Sequence, residues 1–364
     1  MNRDEWLRLI DQCTRLLFGH GRAQSTPHAV FTQLAALTPP DLQPDLYGGG
    51  ELITGFEQRV AELLGKEAGV FMPSGTMAQQ IALRIRSDRR GSKHVAFHPT
   101  CHLEIHEQKG YELLHGLHGV LVGSPYQLMT LDDLQQVRDP LAALLLELPQ
   151  REIGGQLPSW DELLAITTWA REHNIALHMD GARLWECQPF YQRSYAEIAA
   201  PFDTVYVSFY KILGGIAGAM LLGPQDVINE ARLWQRRHGG NLVQLYPMIL
   251  SAQRGLDTRL ERIPQYCTKA REIAGILAGF PQVVIMPNPP QTNMMHLFFR
   301  GDKDRLEEAA ASIMREQKIC LLRGFMPSQI PGYCKSEFVV GDATLEFGAE
   351  EIRSLFEEFL TTAA

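Results

Sequence analysis

The sequence predicts an α/β protein, with a mostly parallel central sheet in a large domain and a smaller α+β domain at the C-terminus. Three observations carry this reading. Apolar runs of strand length recur at AGVFM, ALLLEL, IALHMD, TVYVSFY and AGAMLLG. Amphipathic stretches such as GFEQRVAELLG and DELLAITTWAREHN accompany them, and strands covered on both faces by helices read as continuous apolar runs. After about Gly255 the pattern changes to longer helical stretches alternating with isolated strand signals (QVVIMP, NMMHLFF, EFVV).

Taken in order, residues Asp4 to about Phe18 place Trp6, Leu9, Ile10, Cys13, Leu16 and Leu17 at helical spacing, which reads as a packing or subunit-contact helix. Pro39, Pro40 and Pro44 then break the chain before Tyr47-Gly48-Gly49-Gly50. The expected organisation is an N-terminal helical segment over 1–44, a large domain over 45–255 and a small domain over 256–364. With 45% hydrophobic and 21% charged residues in 364, the chain has apolar material for a sizeable core. A net charge of −8 argues against a nucleic-acid partner, which needs a concentrated basic surface. No apolar run reaches membrane-spanning length, and the start, MNRDEWLRLI, lacks the apolar stretch of a signal peptide. The six cysteines are scattered without a CxxC pair, so they read as buried free thiols in a reducing cytoplasm.

Ligands of such sheets bind beyond the carboxyl ends of the strands, so the chemistry should follow the apolar runs. Three segments qualify. In FMPSGTMAQQIALRIR a strand ends at Met72 and a helix starts near Thr76. Gly75 lets the backbone approach closely, and Ser74 and Thr76 add hydroxyls to a helix N-terminus suited to a phosphate. Ser-Gly-Thr is equally a common helix cap. In IALHMDGARLWE the strand delivers Asp180, which can meet a protonated pyridine nitrogen or simply cap the next turn. In TVYVSFYKILGGIAGAMLLG, Ser208 leads to Lys211 before a glycine-bearing loop. Such a lysine is a Schiff-base former if desolvated, and an ordinary loop lysine if exposed. Asp180 and Lys211 lie one helix-plus-strand unit apart, so both can reach one crevice.

His94, His98, His102 and His106 recur every four residues, which on one helix would make a metal-ligand stripe. Pro99 argues against a continuous helix. HVAF reads as a strand and Pro99 as the first turn of a following helix, so no metal site is expected.

The runs PDLYGGGELITGFEQRVAELLGKEAGVFMPSGTMAQQ, LLLELPQREIGGQLPSWDELLAITTWAREHNIALHMDGARLWE and SFYKILGGIAGAMLLG resemble the threonine aldolase family, among the β-eliminating lyases of pyridoxal-phosphate fold type I. The match spans about Asp45 to Gly223 and continues through Gln291 to Phe299. The resemblance implies pyridoxal 5'-phosphate as cofactor, held as a Schiff base by Lys211. Gly75 and Thr76, with Ser74 and Ser208 counted alongside, would bind the cofactor, and Asp180 would pair with its ring nitrogen. It also implies that Arg183 contacts the cofactor's phenolic oxygen or the substrate carboxylate. His102 would stack on the ring near the substrate hydroxyl. Tyr47 would reach a neighbouring subunit's site, making the active unit a homodimer or homotetramer.

Three departures mark the substrate side. The family's N-terminal motif is replaced by GRAQSTP. Its Glu-Asn-Thr-His-Asn-Gly is replaced by Glu147-Leu148-Pro149-Gln150-Arg151-Glu152, which puts Gln150 or Arg151 where a hydroxyl-handling histidine stands. A late carboxylate-binding arginine falls near Ser336, with Lys335 beside it and Arg323 upstream. The expected activity is cleavage of a β-hydroxy-α-amino acid to glycine and an aldehyde. The alternatives are β-elimination on the same cofactor and, more remotely, a metal-dependent hydrolase built on the histidine run.

Overall fold

The six runs read as strands pair into one sheet, with His118–Leu121 as a seventh strand that the periodicity does not signal. The structure, a computed structural model, describes residues 2–21 and 26–364. It divides into two units, Leu37–Glu261 and Met1–Ala36 with Arg262–Ala364.

In the larger unit, β1 (Ala68–Met72), β2 (His94–Phe97), β3 (His118–Leu121), β4 (Leu141–Glu147), β5 (Ala176–Gly181), β6 (Thr204–Ser208) and β7 (Ala219–Gly223) form one sheet in the order β1-β7-β6-β5-β4-β2-β3. From β6 to β3 every pairing is parallel, and β7 runs antiparallel to both its neighbours. Parallel pairs need crossovers, which here are helices covering both faces, and that is why LAALLLE contains no polar residue before Glu147.

The long helices of this unit are α1 (Glu51–Leu63), α2 (Gly75–Arg90), α3 (Trp160–Glu172), α4 (Gln225–Arg237) and α5 (Tyr246–Arg259), with shorter ones between them. Helix α2 is capped by Ser74, whose hydroxyl accepts from the Met77 N–H, and is ended by Gly91 in the left-handed region. It buries Ala78, Ile81, Ala82 and Ile85 against Val70, Tyr206, Leu221 and the α4 residues Val227, Ile228 and Ala231. Truncating Ile81 to alanine would cost about 2–5 kcal/mol. Helix α3 opens with a capping box in which Ser159 and Glu162 satisfy each other's backbone N–H.

The smaller unit carries an antiparallel sheet ordered β10-β11-β9-β8, from β8 (Val283–Met286), β9 (Met294–Arg300), β10 (Met326–Pro327) and β11 (Tyr333–Val339). Helices α6 (Ile263–Leu277), α7 (Lys303–Gln317) and α8 (Ala349–Ala363) accompany it, and Phe299 packs edge-on against Phe359 of α8 at 5.4 Å. The opening helix joins this unit, with Trp6 Nε1 donating to the Arg323 carbonyl at 2.9 Å.

Two expectations are corrected. The opening helix covers Arg3–Gln12 rather than continuing to Phe18, because Cys13 turns extended and Arg15–Leu16 pairs in parallel with Ile319–Cys320. Pro99 precedes its helix instead of opening it, since the short helix spans His102–Ile105 with Cys101 at its N-cap. Of the GRAQSTP stretch, residues 22–25 lie outside the described residues. All six cysteines are free and buried.

Candidate active site

Parallel strands in register deliver their last residues to one edge. Glu147 on β4 stands opposite Asp180 on β5, and Asp180 opposite Tyr206 on β6. Three residues beyond β6 comes Lys211, in a loop folded back by Phe209 N–H to the Gly218 carbonyl, Gly215 N–H to Phe209 and Gly214 N–H to Lys211. Gly214 has φ +67°, and a Cβ there would also strike the Arg259 guanidinium. Burial, then the Arg183 and Arg151 guanidinia, bring the Lys211 amine down to about 8, with Asp180 and Glu147 pulling the other way. Roughly a tenth of it is then neutral and nucleophilic at pH 7.

Asp180 is buried, and its Oδ1 accepts from the Ala182 N–H at 3.0 Å. Burial pushes its carboxyl up, while the Ala182 N–H, His102 and Lys211 pull it back and Glu107 adds repulsion. Asp180 thus lies within electrostatic reach of His102, Glu107 and Lys211. His102 has Nδ1 2.9 Å from Glu107 Oε1, and buried Glu107 also accepts from Gln80 Nε2 at 3.1 Å. With Nδ1 donating to that carboxylate, Nε2 remains an acceptor.

The Ser74 hydroxyl accepts from the Met77 N–H as the α2 cap, which leaves its O–H to donate. Gly75 and exposed Thr76 open the helix. A Cβ on Gly75 would overlap the Tyr206 hydroxyl and Cζ, so the backbone passes close to the hydroxyl end of that ring. Ser208 is fully buried and its hydroxyl has no hydrogen-bond partner. A buried orphan hydroxyl, a side-chain-free helix start, a desolvated amine and a buried carboxylate together fit a phosphorylated pyridine aldehyde.

Arg183 and Arg151 both bear on Lys211. Arg151 is engaged with Glu152 at 3.0 Å and His106 at 3.3 Å. Gln150 is buried, its Nε2 3.4 Å from Thr100 Oγ1 and 3.3 Å from Glu147 Oε2. Tyr47 is 55% exposed on a turn whose N–H donates to Val243, next to buried Asp45, which accepts from Leu245 and Tyr246 N–H at the start of α5. Arg323, Lys335 and Ser336 belong to the smaller unit, where Ser336 is buried in β11. Of the histidine run, His102 and His106 stay together with ring centroids 5.1 Å apart and His106 bonds Glu152, whereas His94 nears Asp139 and His98 bonds Gln127. Among the described residues no group of three or more His, Cys, Asp and Glu is placed to hold a metal.

Sequence reasoning passed over Glu147, Glu107 and Tyr206 as site residues. Glu147 was within reach, since a carboxylate ending a buried strand is the argument that singled out Asp180. Glu107 lies five residues after His102, a spacing no helical face brings together. Tyr206 reads as core.

Residues 23–300 match the family described as β-eliminating lyase. The chain is 26% identical to low-specificity L-threonine aldolase 1 of Arabidopsis thaliana, over 79% of this chain and 83% of that one. It superposes on a proposed L-allo-threonine aldolase of Listeria monocytogenes EGD-E with TM-score 0.94 and 41% identity, covering 99% of both chains. A proposed aromatic amino acid β-eliminating lyase/threonine aldolase of Exiguobacterium sp. 255-15 gives 0.93 and 42%, over 98% of this chain and 99% of that one. Sphingomonas wittichii serine palmitoyltransferase, at TM-score 0.70 and 15% identity over 95% and 86%, shares the fold alone. The architecture is that of fold type I pyridoxal-phosphate enzymes.

Proposed function

The chain belongs to the β-eliminating lyase family, and on that footing we propose that it is a pyridoxal-phosphate-dependent aldolase cleaving a β-hydroxy-α-amino acid, threonine-like or bulkier, to glycine and an aldehyde. The observation that carries this is the convergence of Lys211, Asp180 and His102 at one sheet edge, beside the orphan hydroxyl of Ser208.

When bound, the cofactor supplies an electron sink for the pair left at Cα. Lys211 would hold it covalently and exchange places with the substrate amine, a task suited to its lowered basicity. The Gly75 and Thr76 N–H groups and the Ser208 hydroxyl would anchor the phosphate. The Asp180 carboxylate would keep a proton on the ring nitrogen. Arg183 forms no ion pair among the described residues and is open to a substrate carboxylate. His102 would receive the β-hydroxyl proton at Nε2 as the Cα–Cβ bond breaks, with Glu107 holding the ring and stabilising its charged form. Gln150, fixed by Thr100 and Glu147, and Arg151 would shape the side-chain pocket in place of a histidine. Tyr47, exposed on its turn, is assigned to a neighbouring subunit's site in a homo-oligomer. No helix among the described residues is long and apolar enough to cross a membrane, and we place the enzyme in the cytoplasm.

Product analysis over threonine, bulkier and aromatic β-hydroxy amino acids, and a substrate with a good β-leaving group tests the reading. Glycine plus aldehyde is expected. Pyruvate and ammonia from the last substrate, without aldehyde from the others, would overturn it in favour of β-elimination. Borohydride reduction and peptide mapping should place the pyridoxyl group on Lys211, and label on another lysine would refute the site.

A further inference from the structure

The loop that carries Lys211 is laid along one face of α5, and the reaction outlined above gives that helix no part. Ser251, Gly255 and Arg259 recur every four residues, which sets them in a row on one side of α5, and all three are buried. Lys211 opens a tight turn closed by the Gly214 N–H on its carbonyl. The helix grips that turn at two points. Arg259 Nη1 donates to the Leu213 carbonyl at 2.8 Å, and the Ser251 hydroxyl accepts from the Ile216 N–H at 2.8 Å.

Between the two grips the backbones meet directly. A Cβ on Gly255 would stand 2.5 Å from the Leu213 carbonyl oxygen and 3.2 Å from the Leu213 Cβ. On the loop side, a Cβ on Gly214 would strike the Arg259 guanidinium, and one on Gly215 would come within 2.8 Å of the Phe209 carbonyl. The helix is itself anchored at both ends. Buried Asp45 accepts from the Leu245 and Tyr246 N–H groups at its start, and the Arg259 cation lies in its last turn, where the helix carbonyls favour positive charge.

On the cofactor reading above, Lys211 gives up the cofactor when the substrate amine arrives and takes it back when glycine leaves. In between, no covalent bond holds its flexible side chain in place, so its return depends on where the loop backbone sits. We infer that Ser251, Gly255 and Arg259 are positioning residues, a template on α5 that brings Lys211 back to one place in every turnover. The inference rests on that cofactor reading.

Gly255→Ala tests it, because alanine is the better helix former and leaves α5 itself unweakened. Restoring an ordinary carbon–oxygen contact of about 3.3 Å pushes the Leu213 carbonyl away by about 0.8 Å. The kcat should fall by about tenfold or more, with KM little changed, since Arg183 and His102 are not on this loop. A second measurement needs no cofactor: reductive methylation of cofactor-free protein by formaldehyde and cyanoborohydride, followed by peptide mapping. Half-buried Lys211 should react faster than in wild type, relative to the other lysines, as its loop lifts from the helix. Ser251→Ala and Arg259→Met, each removing one grip, should act in the same direction. Thr258→Ala, on the exposed side of α5, is the control and should match wild type in both measurements. Wild-type kcat and wild-type labelling of Lys211 in Gly255→Ala would overturn the proposal. Equal effects from Thr258→Ala would overturn it too, by marking a general weakening of the helix. Faster labelling in Gly255→Ala, alongside a wild type that takes up no pyridoxal phosphate, would uphold the template and sink the cofactor reading.

Discussion

Gly75→Ala probes the start of α2, and the structure sets the size of the effect. Gly75 is not in the left-handed region, so backbone strain plays no part and the whole effect is steric. A Cβ there would overlap the Tyr206 hydroxyl and Cζ and come within 2.7 Å of Cε2. Tyr206 is 2% exposed and its ring is part of the packed core between β1, β7 and α2, so it cannot swing away. Restoring an ordinary carbon–carbon contact of about 3.5 Å to Cε2 alone moves the helix start by close to 1 Å. Overpacking of this kind costs about 1–3 kcal/mol. The better helix propensity of alanine returns at most about 1 kcal/mol. A net loss of roughly 1–2 kcal/mol follows, a drop of about 2–8 °C in Tm for a unit of this size. The larger consequence is functional, because displacing a positioned group by about 1 Å can cost a hundredfold in rate. Thermal unfolding and a cofactor titration followed by visible absorbance measure the two effects. Tyr206→Phe should give only partial relief, since Cζ remains, whereas Tyr206→Ala should make the added methyl nearly free in a double-mutant cycle. Wild-type stability and cofactor affinity in Gly75→Ala would refute the account of this cradle.

Two further outcomes follow from the same geometry. If His102 has the proposed stacking and base roles, His102→Phe should retain colour yet lose about two to four orders of magnitude in turnover. Unchanged turnover would move the base role to Gln150, Arg151 or a water. Buried His178 is held down to about 3, first by burial and then by Arg86, and His115 to about 4, by burial and His238. Because the folded values lie below the unfolded 6.5, the unfolded chain takes up protons that the fold refuses. Stability is then full above about pH 6.5 and falls on acidification, by up to about 1.4 kcal/mol per pH unit for each group. His178→Gln should flatten the pH dependence of unfolding between about 6 and 4 relative to wild type, and an unaltered slope would refute the assignment.

The sequence by itself determined six of the seven strands of the large sheet and the helices beside them, and missed the edge strand His118–Leu121. Period and burial are written along the chain: LAALLLE has to be covered on both faces, and Asp180 and Lys211 follow buried strands whose parallel pairing sends them the same way. Turn chemistry was legible too, as Ser74 shows by capping the helix its position implies. Tertiary structure decided what depends on residues far apart in the chain. The opening helix stops at Gln12 because Ile319–Cys320 offers Arg15–Leu16 a strand partner, and no local periodicity reports a partner some three hundred residues away. Strand register set Glu147 beside Asp180. The fold of the loop after β2 brought Glu107 onto His102 and kept only His106 beside it, because a four-residue recurrence lines up only on a continuous helix, and here the helix is one turn long.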